Sequence, residues 1–197
     1  IFNIEYPGMA NLTPELKEQI LAAETMVVVD DLYRPYRPKR RTRATIAKEK
    51  GLEPLANIIS LQMTKNTVEE EAKKFIDKEK EVNSIEEAIA GAKDIIAEHI
   101  SDEADYRIRI RELTMKEGIL TSTAKDKEAE SVYEMYYEFA ESIAKLAGHR
   151  ILALNRGENE KILTVKVEAP EEQILRYLEK QVITKKNPNT TPVLKEA

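Results

Sequence analysis

The side chains best suited to chemistry lie together in a short basic segment, residues 33–43. It holds six Lys and Arg residues, two tyrosines and two prolines, in a chain whose net charge is -5. Guanidinium and ammonium groups neutralise phosphates, and a tyrosine ring can stack on a base. The segment therefore predicts a nucleic-acid contact, made by Tyr33, Arg34, Tyr36, Arg37, Lys39, Arg40, Arg41 and Arg43.

Two prolines, Pro35 and Pro38, predict the local backbone of this segment. Proline fixes φ, removes a backbone donor and biases the residue before it toward extended conformations. Prolines three residues apart therefore favour an extended chain over a helix. Such a chain fits along a phosphate backbone, and it fits equally well along an acidic protein surface.

A structural role for the basic segment is the alternative. Residues 69–105 carry thirteen acids and five bases, and this acidic belt can pair with the arginines. In that case Tyr33 and Tyr36 pack on neighbouring helices, and the segment acts as a clasp within the protein or toward domains outside this chain. The amino-acid sequence alone does not decide between the nucleic-acid contact and the clasp.

The sequence offers no arrangement that is typical of catalysis. There is no cysteine, and the two histidines, His99 and His149, lie fifty residues apart without metal-ligand spacing. No glycine-rich phosphate loop or nucleophile motif is present. The compact polar stretch 155–159 favours a turn over a binding site. We therefore expect no catalytic residues, no metal site, no cofactor and no enzyme activity.

Composition indicates a water-soluble, helix-rich protein. Of the 197 residues, 34% are charged and only 6% are aromatic. No apolar run approaches the roughly 20 residues of a membrane span, and no signal peptide is legible. We therefore expect a cytoplasmic location and no membrane partner. Because the chain begins at Ile1 without methionine, we also expect it to be a fragment or to lack its first residues.

Most of the chain shows helical patterns. Residues 67–70 and 84–87 read as capping boxes, and an apolar stripe from Ile85 to Ile100 predicts a strong helix. A further helix is expected from Ser101 to the residue before Gly118. Shorter helices are expected at 44–50, closed by Gly51, and from Leu52 onward.

The last third mixes elements. Residues 118–127 are predicted as a loop or a hairpin arm, and the aromatic stretch 132–139 as a helix. Residues 149–155 show helical spacing, and 162–167 alternate as a strand does. A helix is expected after Pro170, and the tail at 187–192 has little to bury and is expected to be a linker. The expected class is mainly α, with one or two short strands.

Three motifs resemble the N-terminal region of the Tex family, a family of bacterial transcription accessory proteins. The first is residues 31–47, continued by Gly51-Leu52-Glu53-Pro54-Leu55-Ala56. The second is Arg107-Ile108-Arg109-Ile110-Arg111-Glu112-Leu113. The third covers 142–158 and includes His149-Arg150 and the stretch Asn155-Arg156-Gly157-Glu158. The motifs occur in order over roughly 12–167. Family members look like the eukaryotic transcription elongation factors that travel with RNA polymerase.

The resemblance implies a multi-helical domain with a helix-turn-helix-like element, which we place within 67–118. It also implies further domains outside this chain: an RNase H-like domain, helix-hairpin-helix elements and a C-terminal OB-fold that binds RNA. We divide the chain into a divergent or artificially added lead (1–11), N-terminal helices with the basic segment (12–66), the helix-turn-helix-like part (67–118), a mixed part (119–184), and a linker toward the RNase H-like domain (185–197).

The expected function is that of a non-catalytic scaffold that binds RNA or DNA in transcription or RNA metabolism. By the resemblance, much of the RNA binding belongs to the domains outside this chain. The alternative is a protein-docking module for RNA polymerase or other transcription machinery, with the basic segment as the clasp between domains. Acidic helices near residues 69–71 are the candidate docking surface, because acidic patches complement basic partners.

Overall fold

The computed structural model describes residues 13–36 and 40–197. Within these ranges it contains ten α-helices and one three-stranded sheet, so the predicted class, mainly α with a few short strands, is confirmed. The helices are α1 (Pro14–Ala22), α2 (Met26–Tyr33), α3 (Arg43–Glu49), α4 (Glu53–Leu61), α5 (Val68–Ala72), α6 (Ile85–Asp102), α7 (Ala104–Glu117), α8 (Gly148–Asn159), α9 (Glu171–Val182) and α10 (Thr191–Glu196). The strands are β1 (Ile119–Ala124), β2 (Glu138–Ser142) and β3 (Leu163–Glu168).

The described residues form two compact units. Unit 1 holds those up to Ile108 together with Tyr177–Ala197, and unit 2 holds Arg109–Arg176. The lead that the sequence analysis placed at residues 1–11 lies outside the described residues. The other predicted segment boundaries and the helix-turn-helix-like element stay predictions. No described helix has both the length and the apolar character needed to cross a bilayer.

Side-chain caps set the starts of several helices. Thr13, Thr42 and Thr67 each accept a backbone hydrogen bond at the start of the helix that follows them. The predicted capping box at Thr67 is confirmed, because the Glu70 carboxylate also accepts from the Thr67 N–H. At Ser84 only half of the box forms. Its hydroxyl accepts from the Glu87 N–H, whereas the Glu87 carboxylate accepts from the N–H of Asn83 at 2.8 Å.

The core of unit 1 is built on the predicted apolar stripe of α6. Ala88, Ala92, Ile95 and Ile96 are buried there, and α3 and α4 pack against them. Close packing requires a glycine at position 91. A Cβ at that position would lie 2.4 Å from Cδ1 of Leu52 and 3.2 Å from Cβ of Ala47. The lack of a side chain therefore lets α6 approach the α3–α4 turn.

The helix predicted to start at Ser101 starts later. α6 continues through Asp102, and Glu103 has the extended dihedrals (φ -66°, ψ 116°) that break the helix before α7. α7 ends at Glu117, directly before Gly118, as predicted.

Unit 2 contains a sheet whose strand order is β2-β1-β3, with both neighbours antiparallel to β1. The predicted strand at 162–167 is confirmed as β3, and the predicted hairpin arm is β1. The helix predicted through Phe139 is wrong. A short 3₁₀ turn at Glu134–Tyr136 is followed by β2, in which Phe139 pairs with Ser122. Ladder pairing with β1 overrides the local spacing of the aromatic residues.

The tail does bury side chains, contrary to the expectation from its composition. Leu194 of α10 is 5% exposed and packs into the core of unit 1. Gln62 donates from Nε2 to the carbonyl of Val182 at 2.7 Å and accepts from the N–H of Lys185 at 3.0 Å. Asn187 donates to the carbonyl of Gln62 at 3.2 Å. Hydrogen bonds of Gln62 and Asn187 thus attach the tail to unit 1, and the number of apolar residues in the tail does not predict them. A linker role toward a further domain stays a prediction.

Candidate nucleic-acid interface

The basic segment is partly helical. Tyr33 ends α2, Arg34–Tyr36 form a 3₁₀ turn, and Arg43 begins α3 after Thr42 has capped it. The predicted extended backbone is therefore wrong for 34–36, because the φ that proline imposes also suits a 3₁₀ turn. Residues 37–39, which include the candidates Arg37 and Lys39, lie outside the described residues.

The inner side of the segment is tied to α6. Arg34 donates from Nε to Oδ1 of Asp102 at 3.3 Å, and the Thr42 hydroxyl donates to Oε1 of Glu98 at 2.9 Å. Lys48 of α3 donates to the other oxygen of Glu98 at 3.0 Å. Both carboxylate side chains are only 13% exposed. These contacts hold the two ends of the segment against a helix that is itself part of the core.

Three acids of α6 form an acidic stripe: Asp94, Glu98 and Asp102. Their spacing of four residues places them on one face of the helix. Arg43 completes the set with a 3.4 Å contact to Oδ1 of Asp94. In the sequence these acids are part of the broad acidic belt at 69–105, and nothing in the count of charges sets them apart. Their regular spacing was the signal that could have done so.

The outer side of the segment presents cations to solvent. Arg41 contacts Glu49 at 2.9 Å, yet its side chain is 68% exposed, and that of Arg43 is 86% exposed. Arg40 is exposed as well. Tyr33 and Tyr36 are partly exposed, at 41% and 36%. Arg40, Arg41 and Arg43 therefore form an exposed outer edge, whereas Arg34, whose side chain is 41% exposed, pairs with Asp102 of α6.

A cleft of about 470 Å³ adjoins the segment within unit 1. Pro35 and Tyr36 form part of its wall, with Leu32 beside them and Glu98 and His99 opposite. No group of three or more His, Cys, Asp or Glu side chains in the described ranges is arranged to hold a metal ion. The cleft thus offers aromatic and apolar surface next to charged groups, without a visible catalytic arrangement.

The polar stretch 155–159 is not a turn. It forms the last residues of α8, and Gly157 is buried there. A Cβ at Gly157 would lie 2.6 Å from Cδ1 of Leu163, so the glycine serves the packing of α8 on β3. Nearby, the Tyr133 hydroxyl donates to Glu160 at 2.9 Å. Burial and this carboxylate raise the pKa of Tyr133. The expectation of turn chemistry is therefore corrected to helix–strand packing.

Comparison with known protein families gives one match. The model for the Tex central region-like family matches residues 64–191. The basic segment lies before the matched range.

Comparison with individual proteins gives relatives that are much longer than this chain. "Uncharacterized protein YdcI" of Bacillus subtilis is 48% identical over 188 residues, which cover 94% of this chain and 26% of the relative. "Protein tex" of Bordetella pertussis is 40% identical, over 79% of this chain and 20% of the relative. "Transcriptional accessory protein Tex" of Neisseria gonorrhoeae is 33% identical, over 83% and 21%. The chain thus spans about a quarter or less of these relatives.

Proposed function

The chain belongs to the Tex family, and from this premise we propose that it is a non-catalytic helical module that contacts RNA or DNA through the outer edge of its basic segment. The setting is a bacterial transcription accessory protein. One observation carries the proposal: Arg40, Arg41 and Arg43 are exposed within four residues, while Thr42, between Arg41 and Arg43, is fixed to the protein.

The ion pairs of the outer edge do not prevent contact with phosphate. Exposed pairs such as Arg41–Glu49 contribute about 0–1 kcal/mol each. Phosphates therefore compete for these guanidinium groups at little cost in folding stability. Binding to phosphate also releases condensed counterions, which favours association at low salt.

The inner side of the segment favours this contact by holding it in place. Thr42 is bonded to Glu98 and caps α3, so Arg41 and Arg43 extend from a backbone that is already ordered. A preordered cationic edge loses less conformational entropy on binding than a free chain. Because the groups reach phosphate and not base edges, the contact positions the nucleic acid without reading its sequence.

The test is a titration of the chain with labelled single-stranded RNA, single-stranded DNA and duplex DNA over a series of salt concentrations. Three phosphate contacts predict that log affinity falls with log salt at a slope of about -2.7 for duplex and about -2.1 for single strands. A variant with Arg40, Arg41 and Arg43 changed to alanine should lose this binding and remain folded.

A matched control removes the same number of exposed cations elsewhere, with Lys78, Lys145 and Lys180 changed to alanine. It should bind as the unchanged chain does. Equal losses in both variants would mean that only net charge matters, and absence of binding at low salt would refute the proposal.

The intramolecular clasp is the second candidate, and the carboxylates that accept from Arg34 and Thr42, each only 13% exposed, favour it. In that case the segment stabilises unit 1, and nucleic acid binds elsewhere in the whole protein. Arg34→Ala should then lower the urea midpoint of unfolding without a matching effect on nucleic-acid affinity. If the segment serves both purposes, the two effects would occur in different variants. A change at Arg34 would lower stability, and a change at Arg40 would lower nucleic-acid affinity.

Docking on RNA polymerase through α5 is a third candidate, with a narrower surface than the sequence suggested. Glu71 is buried and Glu70 caps the helix, which leaves Glu69 as the exposed acid of the three that takes no part in the cap. Glu69→Lys is therefore the variant to use in a polymerase pull-down. Loss of recovery would support docking there, and unchanged recovery would exclude this surface.

A further inference from the structure

Among the described residues, no strand pairs with the outer side of β3, so this edge of the sheet in unit 2 has backbone groups without a ladder partner. The strand order places β3 at an edge, with β1 as its neighbour on the other side. Lys125 donates to the carbonyl of Ile162 at 2.9 Å, in register with the β1–β3 ladder. Residues 164, 166 and 168 therefore face β1 with their backbone groups, because the pairs alternate in an antiparallel ladder. The N–H and C=O groups of Val165 and Val167 consequently point outward.

The other edge of β1 confirms this assignment of directions. Ala124 donates to the carbonyl of Tyr137 at 3.1 Å, and the N–H of Ile143 donates to Gly118 at 3.0 Å. Even-numbered residues of β1 therefore pair with β2, and odd-numbered residues pair with β3. Val165 and Val167 lie opposite the even-numbered Ser122 and Leu120, so their backbone groups are the ones left for an added strand.

Exposed apolar surface continues along this edge. Side chains of Leu163, Val165 and Val167 share one face of β3, because side chains alternate along a strand. Leu163 is fully buried in the core of unit 2, whereas Val167 is 55% exposed. The apolar face therefore extends beyond the core at its C-terminal end. Edge strands of this kind pair readily with extended peptides.

Negative charge surrounds the same end of β3. A groove of about 610 Å³ runs from Val167 to Gln173 and is lined by Glu168, Glu171 and Glu172. None of the described residues that line it is basic. Glu172 contacts Arg176 at 3.5 Å, but both side chains are more than three-quarters exposed, so this pair neutralises little. The groove therefore disfavours phosphates and favours Lys or Arg.

We propose that the outer edge of β3 binds an extended peptide that carries Lys or Arg next to an apolar side chain, and that this peptide forms a fourth strand of the sheet. Its backbone pairs with Val165 and Val167, its apolar side chain covers Val167, and its cations lie against Glu168, Glu171 and Glu172. The partner is a protein segment, so the site goes beyond the nucleic-acid contact proposed above.

The test uses the whole chain and a capped peptide of about eight residues, the length of an ordinary strand, that alternates lysine and valine. A peptide with glutamate in place of lysine is the control. We expect the lysine peptide to bind in fluorescence anisotropy and to slow hydrogen exchange at the amides of Val165 and Val167. Binding of both peptides, or protection elsewhere without protection of these two amides, would overturn the proposal.

Two variants separate the backbone contribution from the charges. Val167→Pro removes an outward N–H without removing a ladder bond to β1, and proline is tolerated at such edge positions. It should abolish binding, whereas Val167→Ala, which keeps the N–H, should retain most of it. If Val167→Pro does not fold, the double variant Glu171→Lys/Glu172→Lys decides the matter. It should weaken the lysine peptide about tenfold, and unchanged affinity would refute the site.

Discussion

Arg107 donates a hydrogen bond from Nε to Oδ1 of Asp31 at 2.8 Å, across 76 residues of sequence. The Asp31 side chain is only 3% exposed. The two residues belong to different motifs that resemble the Tex family. Asp31 lies in α2 and is part of the first motif, and Arg107 lies in α7 and is part of the second. A basic residue of the second motif, Arg107, therefore stabilises the fold of unit 1 through an acid of the first motif.

Arg107→Ala should destabilise the chain by about 1–3 kcal/mol, because it removes a charged donor from a buried carboxylate. Urea unfolding measures this loss. Arg109→Ala is the matched control on the same helix, since Arg109 and its partner Glu112 are both more than half exposed. Its effect should stay within about 1 kcal/mol. Equal effects of the two variants would show that the Asp31 contact has no special weight.

Gly91→Ala should destabilise unit 1 by about 1–3 kcal/mol, because the added methyl group overlaps Leu52. A thermal melt followed by circular dichroism measures the shift. Gly148→Ala provides the comparison, because a Cβ at that helical position meets no atom within 4 Å. It should leave the melting temperature unchanged or raise it slightly. A neutral Gly91→Ala variant would show that α6 can move away from the α3–α4 turn.

Glu71 should make the stability of unit 1 depend on pH. Lys74 donates to its carboxylate at 2.6 Å and Asn66 donates at 2.6 Å, and the two contacts hold the pKa of Glu71 below its usual range. A carboxyl group whose pKa is lower in the folded state stabilises the fold at pH values above its pKa in the unfolded chain, about 4.3. This stabilisation is lost as the pH falls through the pKa in the folded state.

The gap in unfolding free energy between the unchanged chain and Glu71→Gln should therefore narrow between neutral pH and about pH 3. Urea midpoints at both values measure it. Lys74→Met should reproduce part of the effect, because the Lys74 hydrogen bond is the largest cause of the shift. A gap that stays constant with pH would contradict the assignment.

Leu194→Ala should lower the free energy of unfolding by about 2–5 kcal/mol, the usual range for a buried leucine. Urea unfolding measures the loss, and the neighbouring Lys195→Ala, whose pair with Glu179 is about half exposed, should change it by less than about 1 kcal/mol. A nearly neutral Leu194→Ala would mean that the tail is dispensable for the core of unit 1.

Local chemistry was sufficient to predict much of the fold. Threonine and serine caps, the apolar stripe of α6 and the alternation in β3 each depend on residues close in sequence, and the structure confirms them. The stretch ending at Phe139 was misassigned because its conformation depends on pairing with β1, which no local pattern reveals. Gly157 was misassigned because its reason for being glycine is a contact with Leu163.

The candidate site was predictable in composition but not in arrangement. The sequence shows the arginines, tyrosines and acids, and pairing between the arginines and the acidic belt was one of the two roles it allowed. Which cation turns inward could not be read, because Arg34 and Asp102 are 68 residues apart and Lys48 and Glu98 are 50 apart. The packing of α3 on α6 sets the Lys48–Glu98 contact, and no local pattern in the sequence reveals that packing.

The division of the chain has a consequence for its synthesis. Unit 1 resumes at Tyr177 only after all of unit 2 has been made, and its core takes in Leu194. A ribosome adds about 5–20 residues per second. All of unit 2 is therefore synthesised before Leu194 is available to the core of unit 1. For a few seconds, part of the apolar surface in the first part of unit 1 is uncovered. During that interval the nascent chain is the form of this protein that a chaperone would meet.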